Sequence, residues 1–251
     1  MNQMTTTIAE SITKVASKQT YYTIRFLVDR ERVDDAYRAY AYFRWVDDIL
    51  DAESITGLER SAFIQRQKSL FEKCFQGEMP SDANIQEKML IELIQHDHEK
   101  NSGLQSYLHN MMQVMDFDAR RRGGLISLVE LNEYTRWLAT AVMECIHYFI
   151  GHDEYAPHDE TRYLAVSGAH ITHMLRDTFD DGRIGYYNIP REILETNHVG
   201  LQDVQSDAYR DWVKSRVQLA REHFKAGKDY FAQVENPRCR LACYAYIARF
   251  E

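Results

Sequence analysis

A chain of 251 residues with 45% hydrophobic and 27% charged side chains has globular composition, which excludes wholesale disorder. Thirty basic against 38 acidic residues leave a net charge of −8, which argues against a nucleic-acid backbone binder and suits a protein whose partners include divalent cations. No run approaches about 18 uncharged apolar residues, no signal-peptide pattern opens the chain, and Cys74, Cys145, Cys239 and Cys243 lack CxxC spacing, so neither disulfides nor a zinc site is expected, in a cytoplasmic, reducing setting.

Helical periodicity dominates, and strand-like alternation and hairpin signals are nearly absent. Ala36 to Asp51 reads as a helix that is apolar or aromatic nearly all round. Leu58 to Phe75 carries a stripe of Phe63, Gln67, Leu70, Phe71 and Cys74, stopped by Gly77 and Pro80. Ser81 or Asp82 is expected to cap a helix through about Glu99. Gly103 then opens the way to another, which ends at the Arg120-Arg121-Arg122-Gly123-Gly124 turn. That basic turn reads first as solvated and second as a patch for an anionic substrate or membrane surface. Ser127, with Glu130 at capping-box spacing, starts a long helix to Ile150. His158 to Asp181, Asp207 to Val234 and Pro237 onward supply three more. Residues 1–251 therefore read as one all-α domain of eight to ten helices. Arg240 to Glu251 reads as helix without a stop signal, so a further C-terminal helix is expected after Glu251.

Two segments carry chemistry. In Ala36 to Asp51, Tyr40, Arg44, Asp47, Asp48 and Asp51 fall on one stripe of a mostly apolar helix. Carboxylates in such a setting need a cation or a water-filled cavity, since each costs several kcal/mol to desolvate unpaired. Oxygen ligands from neighbouring helical turns suit Mg²⁺. In His170 to Pro190, His173, Arg176, Asp177, Asp180 and Asp181 share a face, with Arg183 just beyond. Two such helices facing one another would form an acidic cleft rimmed by Arg44, Arg176 and Arg183. Cations with arginines are what a diphosphate requires. Asp203, Asp207 and Asp211 repeat the spacing among polar neighbours and read as a solvated helix start.

Ser17 to Asp51, MQVMDFDARRRGG with Tyr134 after it, and LRDTFDDGRIGYYNIP together resemble the squalene/phytoene synthase family. FRWVDDILD is similar to that family's R-x-x-D-D-x-x-D motif, and LRDTFDD to its N-x-x-R-D-x-x-x-D. The resemblance implies an all-α isoprenoid synthase bundle around a central cavity. It implies a prenyltransferase that couples two prenyl diphosphates head to head through a cyclopropylcarbinyl diphosphate, using two or three Mg²⁺; no G-x-G-x-x-G or other nicotinamide-site feature argues for NADPH, so none is expected. By position it implies Asp47, Asp48, Asp51, Asp177 and Asp181 as metal ligands. Arg44, Arg176, Tyr40, Tyr134 and His173 would be catalytic, and Tyr21, Arg25, Arg183 and Tyr246 substrate-binding. A peripheral membrane contact for product release goes with an apolar product.

The sequence departs from the pattern at three places. His173 stands where asparagine is usual, Thr140 and Met143 replace glycines, and the Tyr-x-Pro after the second motif is one residue longer at Tyr187-Asn188-Ile189-Pro190. The lost glycines are expected to narrow the space beside their helix. The rival enzyme reading is a class I terpene cyclase acting on one prenyl diphosphate, and the non-enzyme reading is a binding or assembly protein of the same fold. Glu144-Cys145-Ile146-His147 offers one Glu-x-x-His without the second that a di-iron bundle calls for. His170, His173 and Asp177 as a transition-metal site is a weaker alternative. For His173, hydrogen bonding to diphosphate is expected, with the direction of its pKa shift open between the carboxylates and Mg²⁺.

Overall fold

The computed structural model describes residues 3–251, and among them twelve α-helices and two short 3-10 helices but no β-strand. The chain divides into two compact units, residues 1–119 with 144–154 and residues 120–143 with 155–251. No helix among the described residues is long and apolar enough to cross a membrane.

The first unit holds α1 (Gln3–Ala16), α2 (Lys18–Leu27), a 3-10 turn (Arg30–Arg32), α3 (Val33–Asp51), α4 (Gly57–Phe75) and α5 (Ile85–His96), with most of α6 (Gly103–Arg121) and the end of α7 (Leu128–Phe149). Side-chain caps set the starts. Thr56 and Glu59 form a capping box on α4. On α5 the expected cap at Ser81 or Asp82 is displaced to Asn84, which accepts from the backbone of Gln86 and Glu87 while Glu87 accepts from its N–H. That helix also ends at His96 rather than Glu99. Two buried polar networks fix α3 from behind. Arg38, 5% exposed, binds Asp35, Glu92 and Thr6, joining α3 to α1 and α5. The Tyr42 hydroxyl donates to Gln67, which donates to Glu87, itself held by Arg66. Fully satisfied buried networks of this kind make one helix position much better than its neighbours.

The second unit holds the start of α7, a 3-10 turn (Glu160–Tyr163), α8 (Leu164–Arg176), α9 (Thr178–Ile184), α10 (Arg191–Asn197), α11 (Asp207–Phe231) and α12 (Pro237–Ile247). Ser127 and Glu130 bond reciprocally at the start of α7, as their spacing requires. The helix expected over His158 to Asp181 is three pieces: it opens as the 3-10 turn Glu160–Tyr163, and the chain leaves helical geometry again at Asp177 (φ −94°, ψ 6°) between α8 and α9. These breaks, with α1 and α10, raise the helix number above eight to ten. The last helix ends at Ile247, so it is shorter than the expected run to Glu251. Cys239 and Cys243 lie buried as free thiols on α12, and Cys74 and Cys145 are free as well. Asp207 and Asp211 pair with Arg210 and Lys214 at the exposed start of α11, a solvated helix start as read from sequence.

Candidate functional site

On α3 the expected stripe forms. Arg44 reaches Asp47 (Nη1 to Oδ2, 3.3 Å) and bonds Asp48, all three being part-exposed side chains. Burial, then the neighbouring Asp51, pushes the Asp47 carboxyl up to about 7, with Asp118 and Asp48 adding to the rise and Arg44 opposing it. Asp118 lies on α6, and sequence spacing alone did not single it out. Four carboxylates thus act on one another in the first unit. Tyr40 is half-buried on the same stripe. Tyr21 and Arg25 on α2 both turn to Glu10, the tyrosine hydroxyl donating at 3.1 Å and the guanidinium standing 3.9 Å away.

In the second unit Asp177 is the junction of α8 and α9. Arg176 donates to both its oxygens (Nε to Oδ1 2.6 Å, Nη2 to Oδ2 2.9 Å), and His173 Nε2 lies 2.8 Å from Oδ2. Arg176, foremost, holds this carboxyl below the usual range, against burial and with help from His173. Although the helix breaks, the N–H of Asp181 still donates to the Asp177 carbonyl, so the two aspartates stay one turn apart. Asp181 accepts from Asn188 Nδ2 at 2.8 Å, and Asn188 Oδ1 accepts from Arg121 Nη1 at 2.9 Å. Arg121 also stands over the rings of Tyr134 (5.1 Å) and Tyr186 (4.8 Å).

The arginine-rich turn is therefore more than a solvated loop. Arg122 Nε donates to the Ile184 carbonyl and the Gly123 N–H to that of Gly185, clamping the end of α9. Gly185 has φ +92° with Gly123 N only 3.2 Å from where a Cβ would lie, so glycine is required there. The longer Tyr187-Asn188-Ile189-Pro190 segment gives Asn188 its place beside Asp181.

His173 has the direction that the sequence left open. Burial, foremost, lowers its pKa, with Arg176 and Arg249 assisting against the pull of Asp177. A neutral imidazole bonded to Asp177 follows at neutral pH. His173→Asn should accordingly leave the pH–rate profile above pH 7 parallel to that of the parent, measured as kcat/KM from pH 6 to 9. Phe250, unremarked in the sequence, packs near His173 (5.9 Å) and Arg176 (6.0 Å), and Arg249 covers Tyr246 (5.4 Å). Arg183 pairs with Asp180 in the open, both about four-fifths exposed. Tyr134 packs on His170 (5.1 Å), a histidine that burial pushes down to about 3 and whose Nδ1 bonds Thr135. Met143 is fully buried, whereas Thr140 lines a cavity of α7, α8 and α11.

A model of the squalene/phytoene synthase family matches residues 13–249. The chain belongs to that family. It is a prenyltransferase by that membership. No curated protein matches it in sequence. Among solved structures it is similar to squalene synthase HpnC from Alicyclobacillus acidocaldarius (TM-score 0.74, 19% identity, 98% of this chain and 90% of that one). It is similar also to a dehydrosqualene synthase solved with a ligand (0.72, 16%, 98% and 85%). Germacradien-4-ol synthase from Streptomyces citricolor shares the fold at TM-score 0.55 with 14% identity over 99% and 82% of the two chains. The all-α isoprenoid synthase fold expected from the sequence is the fold observed.

The family uses a divalent metal in binding diphosphate. Among the described residues no three His, Cys, Asp or Glu side chains already converge on one point. Their chemistry nevertheless fits a hard cation. The donors on α3 are all carboxylate oxygens, and the raised Asp47 carboxyl marks a cluster short of positive charge. This has a stability consequence. A carboxyl whose folded pKa is above its unfolded value near 3.8 takes up more protons folded than unfolded, so stability falls as pH rises from about 4 to 7. In EDTA, Asp47→Asn should therefore melt above the parent at pH 8 and alongside it at pH 4. Thermal denaturation checks this, and Mg²⁺ should close the pH 8 gap by raising the parent alone.

Proposed function

We propose that this enzyme carries out Mg²⁺-dependent head-to-head condensation of two prenyl diphosphates, C15 or C20, through a cyclopropylcarbinyl diphosphate to a phytoene- or dehydrosqualene-type hydrocarbon. The observation that carries the reading is that, in a chain of this family, each aspartate segment keeps its carboxylates next to an arginine able to grip phosphate oxygens: Arg44 with Asp47 and Asp48, and Arg176 with Asp177. When bound, Mg²⁺ would supply the positive charge that a leaving diphosphate needs. Asp47, Asp48 and Asp51 in the first unit and Asp177 and Asp181 in the second would hold the ions, and Arg44 and Arg176 would turn from their aspartates to the diphosphate oxygens as substrate enters. Neutral His173 holds Asp177 through Nε2, and the Arg121–Asn188 pair orients Asp181. Arg183 and Arg25 meet the incoming charge, while Tyr21, Tyr40, Tyr134 and Tyr246 offer aromatic faces to the cation and exclude water.

Incubation with C10, C15 and C20 diphosphates, with and without Mg²⁺ and NADPH, followed by mass spectrometry, tests the reading. A hydrocarbon with twice the carbon number, formed with Mg²⁺ and independent of NADPH, is expected. A product that keeps the carbon number of one substrate would establish cyclisation instead.

A further inference from the structure

The second unit contains a cavity of about 360 Å³ between α7, the 3-10 turn, α8 and α11. Arg136, Arg216 and His223 line it, with the hydroxyls of Thr135 and Thr140, and with Glu160 on one wall. Ile171 alone of the two segments reaches the lining, and none of Arg44, Asp47, Asp48, Asp51, Arg176, Asp177 and Asp181 takes part in it. Among the described residues Arg216 and Arg136 make no ion pair, in contrast to Arg176, Arg183 and Arg210, each of which holds an aspartate. His223 Nδ1 is buried without a hydrogen-bond partner.

Half-burying a guanidinium and an imidazole nitrogen together without an acceptor costs free energy that a folded chain ordinarily offsets with a carboxylate. Glu160 is exposed and bonds neither. Burial alone lowers the Arg216 pKa, no carboxylate raising it, and Arg216 in turn helps to depress His223. The wall is thus short of negative charge and offers donors from two helices, α7 and α11. Two guanidinium forks, an imidazole and the Thr140 hydroxyl match an oxyanion with several acceptor oxygens, while the Thr135 hydroxyl donates to the Leu131 carbonyl. A metal cation finds only one carboxylate there.

We infer that this cavity is an anion site, separate from the aspartate segments, that takes inorganic phosphate or diphosphate between Arg136, Arg216 and His223. Thr140 supplies a hydroxyl where the related pattern has glycine. Thr135, also bonded to His170 at 3.1 Å, ties the site to α8.

Calorimetric titration of the whole chain in EDTA with phosphate and with diphosphate, at fixed ionic strength, tests this without turnover. Removing the metal suppresses binding at the aspartates. One saturable site is expected, with Arg216→Gln weakening it by at least about 10-fold, and with a shift of the His223 ring nitrogens in ¹⁵N spectra on saturation. Arg136→Gln and Thr140→Gly should weaken it less, and they decide the matter if Arg216→Gln does not fold. Arg176→Gln should bind as the parent does. Binding lost in Arg176→Gln but kept in Arg216→Gln would place the anion at the second aspartate segment and overturn the proposal, as would the absence of saturable binding of either anion.

Discussion

Asparagine at position 47, 51, 177 or 181 should lower turnover by at least about 10²-fold, equivalent to about 2.7 kcal/mol of barrier. The substitution keeps the shape and an oxygen donor but removes the charge that a hard cation requires. It also leaves a partner stranded: Arg176 and His173 both spend their hydrogen bonds on Asp177, and Asn188 spends one on Asp181. Asp207→Asn is the control at like spacing. Its side chain is 94% exposed and meets only Arg210, so turnover should stay within about twofold. Asp177→Asn combined with Asp181→Asn should cost far less than the product of the single losses, because ligands of one ion fail together. Steady-state rates across a Mg²⁺ titration check all of these. Equal losses at Asp207 and at the four positions would sink the assignment.

The stripe on α3 was readable because it is local: a 3.6-residue period places Arg44, Asp47, Asp48 and Asp51 together whatever surrounds them. The second segment was readable in its residues but not in its path. Nothing in RDTFDD announces that helical geometry breaks at Asp177, and the break is tolerable because that carboxylate is satisfied by Arg176 and His173. What spacing could not supply is long-range. Arg121 lies 67 positions from Asn188, and Asp118 reaches Asp47 from another helix. Arg121 looked like part of a solvated basic run, since charge runs usually are. Phe250 beside His173 was equally hidden, because α12 carries no pattern that sets which side of its end faces α8. The caps divide the same way. Ser127 with Glu130 was legible, but Asn84 with Glu87 competed with Ser81 and Asp82, and a box closed by a returning glutamate outweighs an open cap.

Gly227→Ala should be the most damaging single methyl in the second unit. Gly227 lies inside α11, about one turn from its C-terminal end, where helix propensity alone would favour alanine by about 0.5–1 kcal/mol. A Cβ there would stand 2.3 Å from the Ala165 Cβ, 2.6 Å from its N and 2.8 Å from its Cα. Two of those atoms are backbone at the start of α8, so no rotamer change relieves them. Overpacking typically costs about 1–3 kcal/mol where side chains can give. Where main chain must move, about 3 kcal/mol or more is expected after the propensity gain, which in a chain of this length lowers Tm by about 6–12 °C. Gly168 makes the same crossing close from the other side, its Cβ position being 3.0 Å from the Ala220 carbonyl oxygen. Ala165→Gly in the same chain should recover part of the loss, since it removes the nearest atom but not the two backbone contacts. Gly182→Ala has no atom within 4 Å of its Cβ and should be neutral or stabilising. The crossing also bears on function, because α8 runs from Ala165 to the residues that hold Asp177, and its neighbour α11 carries Arg216 and His223. A helix pair pushed apart at Gly227 should therefore lose Mg²⁺-dependent turnover at temperatures well below its own melting point, whereas a substitution that merely lowered stability would lose turnover only as the chain unfolds.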